Sequence, residues 1–495
     1  MKTKSYAAIA AALGLSGLIG NALADDPPAP RSGVQQEGQH SSRRVIVVLK
    51  APGGKSLSGT ESRATEQAFT ASLRATQNAV MASAFGSAEA GAERSVRLFD
   101  LVPMFAANVS AAELAKLKAD SRVERVEPDG LAKPELLDSL PLIKMTGSSG
   151  AYALNAKGSG RVVVVLDTGV NKNHEFLKNK VIAEACFNSN SPGDGATSRC
   201  PGGGTTSTAS GAGADCSAAI EGCGHGTHVA GIAAGYNTSK SSGEPANGVA
   251  YSAKIMAINV FTRFSKDSGN CGAGATKDCV LSYTSDQIAA LEYVRSKNRK
   301  IGTAYTIDSA NMSLGGGVYQ SYCNGDPRQP SMHALRNQGV ATTVAAGNEY
   351  YVDSVSAPGC ISDAITVVAS SKRTTGKSER ISVYSNIAPI ADMAAPGGDF
   401  GYPFNSNRDQ IKSSFLNGGY GNLAGTSMAA PHVAGAVAAI RSRSACKYKT
   451  VTEIESAFRT TGPAIKDWRI VTGVPQITKR RLDVVAAMKK LGCAP

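Results

Sequence analysis

Four polar residues stand where apolar segments break off: Asp167, His225, Asn348 and Ser427. An aspartate, a histidine and a serine are the parts of a base-activated nucleophile. An asparagine amide adds a donor for the negative charge that develops on an attacked carbonyl. A serine hydroxyl is too weak an acid to attack a peptide carbonyl unaided at neutral pH. An imidazole, with an unperturbed pKa of about 6.5, can take its proton and hand it on. Together these four residue types can perform acyl transfer. Each also has a plainer role: Ser427 as a helix N-cap, Asp167 as a turn former before Gly169, and His225 with His228 as metal ligands. The metal reading is the weakest, because the flanks are glycine-rich and the HExxH spacing is missing.

The surrounding segments are suited to hold such groups. Residues 162–165 are four consecutive valines, which read as a strand buried on both faces, as in a parallel sheet. Asp167 follows at its carboxyl end, where open α/β sheets place their sites. Gly224-His225-Gly226-Thr227-His228-Val229-Ala230-Gly231 predicts a small-residue helix opening on a histidine, and Val344-Ala345-Ala346-Gly347-Asn348 an apolar strand ending in an amide. Ser427 lies between a Gly- and Asn-rich loop (417–425) and Met428–Ile440, a run without Asp, Glu, Lys or Arg. That run predicts a helix packed on several sides, with the Ser427 N–H at its mouth free to face an anion. Strands at Arg161–Leu166, Lys254–Val260, Ala304–Ser313, Ala341–Ala345 and Ala364–Val368 alternate with helices at His225, Ser285–Lys297 and Ser331–Asn337. Two surface helices, Val451–Arg459 and Arg481–Lys490, close the chain. The pattern predicts an α/β fold, a mostly parallel sheet flanked by helices. The other histidines read as structural: His174 in the loop after Asp167, His432 within the Ser427 helix, and His40 and His333 without a constellation around them.

The chain at this point resembles the subtilisin-like serine proteases, closest to the proteinase K branch. The resemblance is carried by Val165-Leu166-Asp167-Thr168-Gly169, His225-Gly226-Thr227-His228-Val229-Ala230-Gly231, Asn311-Met312-Ser313-Leu314-Gly315-Gly316-Gly317, Ala345-Ala346-Gly347-Asn348 and Gly425-Thr426-Ser427-Met428-Ala429-Ala430-Pro431, in the family's order. It implies a triad of Asp167, His225 and Ser427, with Asn348 and the Ser427 N–H as oxyanion donors. It implies that Ser313, Leu314 and Gly315 bind an extended substrate through their backbone, with Ala345, Ala346 and Gly347 as the other wall of the primary pocket. A floor is expected near Ser356-Ala357-Pro358. These small, uncharged walls suggest broad specificity with apolar or aromatic side chains before the cut bond; Asp353 is the nearest acid and keeps a basic preference open. No cofactor is needed for the chemistry. The family often binds structural calcium, although no EF-hand-like loop is present here.

Residues 1–24 read as a secretion signal: Lys2 and Lys4, an apolar run Ala7–Gly20, then Ala22-Leu23-Ala24 as a cleavage site. Residues 25–42 read as a linker. Residues 43–130 follow the order βαββαβ, which suggests a ferredoxin-like α+β unit: strands Arg44–Leu49, Ser95–Phe99, Met104–Val109 and Arg122–Val126, helices Glu61–Ser83 and Ala111–Lys118, with Ser110 as N-cap. Leu114-Ala115-Lys116-Leu117 and Val123-Glu124-Arg125-Val126-Glu127-Pro128-Asp129 resemble the ending of the family's inhibitory propeptide. Such a propeptide acts as a folding template and intramolecular inhibitor; the plainer reading is an independent binding module. Its junction with the catalytic domain (138–495) is expected between Asp129 and Leu140, with Leu131, Ala132, Leu136 and Leu137 as candidate sites, because Lys133 precedes a proline.

Ten cysteines, all from position 186 onward, point to an oxidising compartment and up to five disulfides. Plausible pairs are Cys271 with Cys279, Cys323 with Cys360, and Cys446 with Cys493; sequence alone leaves the pairing open. The stretch 187–222 departs from the family pattern and is expected to be an insertion at the surface, held by disulfides near the cleft. The formal charge of +13 is scattered, and no Lys/Arg block with interleaved aromatics suggests a nucleic-acid partner. No apolar stretch after the signal reaches a membrane-spanning length. The expected protein is a secreted monomer, extracellular or periplasmic, acting on proteins and peptides. Two alternatives stand beside it: a narrow-specificity processing protease, and a catalytically silent binding protein on the same fold.

Overall fold

The computed structural model describes residues 43–54, 63–86, 96–98, 103–128, 139–238, 245–371, 379–399 and 409–494. The predicted signal segment, the linker and the junction at 129–138 lie outside these residues. The chain divides into two compact units between Leu131 and Ala132.

In the first unit an antiparallel sheet takes the order Arg97–Leu98, Met104–Val109, Arg43–Leu49, Val123–Pro128. The helices Arg63–Phe85 and Ala111–Ala119 cover it, so the element order is the one expected. Val45, Val47, Leu49, Leu73, Val80, Met81, Phe105 and Leu117 form its core. Ser110 caps the second helix as predicted. Its hydroxyl accepts the Glu113 N–H (3.3 Å), and the Glu113 carboxylate accepts the Ser110 N–H (2.8 Å).

The second unit is built on seven parallel strands in the order Met393–Pro396, Ala364–Ser370, Ala341–Ala345, Tyr305–Met312, Arg161–Asp167, Lys254–Asn259 and Val181–Phe187. The valine run explains itself here. Val163 and Val165 pack with the helices His225–Ala234 and Thr426–Arg441, while Val162, Val164 and Leu166 pack with Thr284–Ser296 and Gln329–Asn337. Both faces are covered, so the strand has no polar alternation to show. Fifteen of the sixteen residues of Thr426–Arg441 are buried; the exception is Ser427. The His225 helix sits directly on the turn after Asp167: a Cβ at Gly226 would lie 2.2 Å from the Gly169 carbonyl oxygen, so only glycine permits the approach.

Three local expectations change. The stretch 417–425 is largely a hairpin arm: Tyr420–Leu423 pairs antiparallel with Ile411–Ser414. Its strand pattern is masked because Ser413 and Ser414 are buried, with the Ser414 hydroxyl donating to the Thr227 carbonyl (2.9 Å). The last helix begins at Val484, capped by Asp483, because Arg481 is drawn inside to pair with Glu379 (3.1 Å). The stretch 187–222 is not a plain surface loop. Cys186, Ala196, Cys200 and Ala212 are buried, and the Gly213 carbonyl accepts the Val170 N–H (2.8 Å), so the segment runs behind the end of the Asp167 strand. All ten cysteines pair: the three plausible bridges are present, with Cys186–Cys200 and Cys216–Cys223 beside them. Among the described residues no helix is long and apolar enough to cross a membrane.

Candidate active site

Asp167, at the end of its strand, is fully buried. Its Oδ1 accepts the Thr168 N–H (2.8 Å) and faces His225 Nδ1 (2.8 Å). A carboxylate beside Nδ1 fixes the tautomer: Nδ1 carries the proton and Nε2 keeps its lone pair. The imidazole is one-quarter exposed, so Nε2 is reachable while Asp167 is not. Burial pushes the imidazolium down. The charge of Asp167, its hydrogen bond and the charge of Asp215 together outweigh that, and the ring titrates above its ordinary value.

Ser427 opens its helix one residue after Thr426. A proline at position 431 has no N–H to give back to the Ser427 carbonyl, and the Ser313 hydroxyl fills the gap (2.7 Å). Ser313 is itself held by the Asn311 amide (2.9 Å). The Ser427 backbone is therefore tied to the strand Tyr305–Met312 across the sheet. The Ser427 hydroxyl donates to the Ser313 carbonyl (3.3 Å) and not to His225, so of the three residues expected to form a triad the structure directly links Asp167 and His225.

Asn348 is set by the residue before Ser427. Its Oδ1 accepts both the N–H and the hydroxyl of Thr426, each at 2.9 Å. An N–H can only donate, so the amide orientation is determined and Nδ2 is left as a free donor. The Ser427 N–H, in the first turn, has no carbonyl one turn back to serve. A point built as a Cβ on Gly425 lies 3.6 Å from the Ser427 nitrogen and 3.7 Å from both Asn348 Nδ2 and Oδ1. Glycine keeps that shared space open, and it suits a developing oxyanion.

The expected pocket segments converge. A Cβ on Gly315 would lie 3.2 Å from the Ser356 Cβ and 3.1 Å from the Ala357 carbonyl. One on Gly347 would overlap Ser356 Oγ at 2.5 Å, and its φ of +108° also favours glycine. Ser313 is buried, Leu314 half-buried and Gly315 exposed, while Ala345, Ala346 and Gly347 are buried.

The nearest acid is not Asp353, whose carboxylate takes Gln320 (2.6 Å) and Ser354 (2.8 Å). It is Glu349, which the pattern did not reveal. Its Oε2 accepts the Asn348 N–H (2.9 Å), the Asn386 amide (2.6 Å) and the Ser356 hydroxyl (3.3 Å). Asn386, fully buried and also missed, accepts the N–H groups of Glu349 (2.9 Å) and Tyr351 (3.1 Å) and so fixes the loop that carries Asn348.

His40 lies outside the described residues; the remaining histidines within them hold backbone or surface partners. His228 donates from Nε2 toward the Ile411 and Gly421 carbonyls (3.0 Å each), and burial pushes it down to about 3. His432 contacts the Met428 carbonyl (2.8 Å) and is pushed down by burial to about 4. His174 bridges the Gly419 carbonyl (2.7 Å) and the Phe176 N–H (3.1 Å). His333 pairs with Asp363 (3.0 Å) on the surface. Among the described residues no group of three or more His, Cys, Asp or Glu side chains is placed to hold a metal. Two buried carboxylates are met by the chain's own cations: Asp308 by Arg299 (2.7 Å), Arg441 (3.3 Å) and Arg161 (3.4 Å), and Asp392 by Arg459 (3.2 Å). These carboxylates do not fit a calcium ion, and no step below passes through one.

Residues 158–478 match the Subtilase family, and residues 44–133 match Peptidase inhibitor I9. The chain belongs to the subtilase family. It is 30% identical over 406 residues to an extracellular protease of Xanthomonas campestris pv. campestris, covering 78% of this chain and 64% of that protein. It is 28% identical over 348 residues to alkaline serine exoprotease A of Vibrio alginolyticus, covering 68% and 51%. A solved protease structure from Pseudoalteromonas arctica superposes with a TM-score of 0.53 at 26% identity, covering 73% of this chain and 100% of that one. The chain thus spans about half to two thirds of the length of these curated relatives.

Proposed function

We propose that the chain is a secreted serine endopeptidase, made as a zymogen in which residues 43–130 are the inhibitory propeptide. One observation carries the reading: the Asp167–His225 hydrogen bond (2.8 Å) stands beside a buried helix whose one accessible residue is Ser427. The Ser427 hydroxyl turns from the Ser313 carbonyl to His225 Nε2 and attacks the substrate carbonyl as its proton passes to the ring. Asp167, whose Oδ2 is buried without a hydrogen-bond partner among the described residues, stabilises the imidazolium that forms. Asn348 Nδ2 and the Ser427 N–H receive the oxyanion. The imidazolium then protonates the leaving amine, and water releases the acyl group by the same route in reverse.

The alanine and glycine walls favour an apolar or aromatic side chain before the cut bond. Glu349 does not reverse this, because three donors already occupy its Oε2. In a panel of peptide anilides, phenylalanine is expected to exceed paired arginines at that position.

The test of the zymogen reading compares the N-terminal sequences of secreted wild type and Ser427→Ala. Wild type is expected to start between about residues 130 and 140, the junction set by the family resemblance. The variant should keep its propeptide. Identical termini would assign the processing to another protease. A silent binding protein would give no fluorophosphonate adduct with either form.

The pH profile supplies a second check. His225 must be unprotonated to act as base, and it titrates above its ordinary value. Activity is therefore expected to rise with pH, its acid limb centred above about 6.5. A limb at or below that value, measured as kcat/KM on a neutral anilide, would contradict the assignment.

A further inference from the structure

We propose that Asp215, contributed by the segment between the catalytic aspartate and histidine, is a positioning residue for His225: a second carboxylate that ties the start of the His225 helix to the turn after Asp167 and adds its charge to that of Asp167. The inference rests on the triad reading above. Four donors converge on this side chain. Oδ1 accepts the Cys216 N–H (2.8 Å), the Gly224 N–H (3.1 Å) and the Thr168 hydroxyl (3.2 Å); Oδ2 accepts the Thr227 hydroxyl (2.5 Å). The other ends of the two hydroxyls agree with these directions. The Thr168 hydroxyl oxygen already accepts the Gly226 N–H (3.0 Å), and that of Thr227 accepts the Asn171 N–H (2.9 Å). Each hydroxyl keeps its proton to donate to Asp215. Burial pushes the Asp215 carboxyl above its ordinary value, against the hydrogen bonds from Thr227, Gly224 and Cys216 and the charge of Arg199; four donors converging on it favour the carboxylate form.

Three of the four residues it grips have one thing in common. Thr168 follows Asp167, Gly224 precedes His225, and Thr227 lies in the first turn of the His225 helix. The hold is itself braced. Asp215 stands at the entrance of the loop closed by Cys216–Cys223, which ends next to Gly224. Arg199, adjacent to the Cys186–Cys200 bridge, donates to the Thr168 carbonyl (2.9 Å) and the Phe261 carbonyl (3.0 Å). The charged and titratable groups around His225 are then Asp167 from the strand, Asp215 from the loop and His228 from its own helix, with Arg199 acting on Asp215. His228 is neutral, so the net field on the imidazole is negative. The segment 187–222 thereby belongs to the catalytic apparatus.

The experiment uses the mature enzyme and its Asp215→Asn and Asp215→Glu variants, with kcat normalised to sites titrated by a fluorophosphonate. For Asp215→Asn, kcat is expected to fall about tenfold with KM little changed. Its acid limb should move to lower pH by about half a unit or more, because a negative charge has gone. Asp215→Glu should return the limb to the wild-type pH while kcat stays lowered. A merely structural helix cap would lower the melting temperature and leave the limb where it was; that result, with kcat within about twofold of wild type, overturns the proposal. If Asp215→Asn does not fold, Asp215→Glu decides: a wild-type limb with reduced kcat supports the role, and wild-type kcat overturns it. Failure of the triad reading is recognisable separately, since wild type itself would then take no fluorophosphonate.

Discussion

Ser427→Ala is expected to lower kcat by roughly five to six orders of magnitude, a size measured on a subtilisin and carried here by family membership. The geometry says why the loss should be chemical and not structural. The side chain's one hydrogen bond, to the Ser313 carbonyl at 3.3 Å, is long and half-exposed, so its removal costs about 1 kcal/mol at most. The backbone at the helix mouth is held by other groups: the Ser427 carbonyl by the Ser313 hydroxyl, and Thr426 by Asn348. The variant should therefore melt within a few degrees of wild type. Residual activity of about a thousand-fold over water should persist, because the oxyanion donors remain. The measurement is single-site kinetics on protein whose propeptide has been removed by a second protease. Activity within tenfold of wild type would place the nucleophile elsewhere.

What could be read beforehand and what could not divide along a physical line. Residues 162–165 announce a central strand because burial on both faces leaves nothing but valines. Asp167, His225, Asn348 and Ser427 are legible because each is a polar residue set against an apolar segment that must pack, and a polar group in that place needs a reason. Asp215, Glu349 and Asn386 give no such signal. Each is an ordinary polar residue in a polar stretch, and its partners are fixed by the fold: Asn386 meets Glu349 across 37 positions, and Asp215 meets Thr168 across 47. The hairpin Ile411–Leu423 was hidden for the opposite reason, since its inward-facing Ser413 and Ser414 look solvated in sequence yet are buried. Within 187–222, glycine and serine content suggested a tolerated loop. Two disulfides convert the same composition into a fixed backing for the strand Arg161–Asp167.

Asn348 carries the second large effect, and its two natural substitutions separate donor from anchor. Its amide is proposed to do two jobs: Oδ1 holds Thr426, and Nδ2, which bonds no neighbour among the described residues, donates to the oxyanion near Gly425. Asn348→Ala removes both. Loss of one oxyanion donor lowers kcat about 100- to 1000-fold, a range again taken from a subtilisin, with KM expected to change by less than about threefold because the ground-state carbonyl needs the donor little. Asn348→Asp keeps an oxygen for the Thr426 N–H and hydroxyl but sets an anion where the oxyanion must form. If the amide acts as a donor, the aspartate variant should be at least as impaired as the alanine variant while melting closer to wild type. If its main task is to anchor Thr426, the order reverses and aspartate should recover most of the activity. Steady-state kinetics and melting temperatures of the two variants, measured side by side, decide between a group that stabilises the transition state and one that merely holds the helix mouth in place.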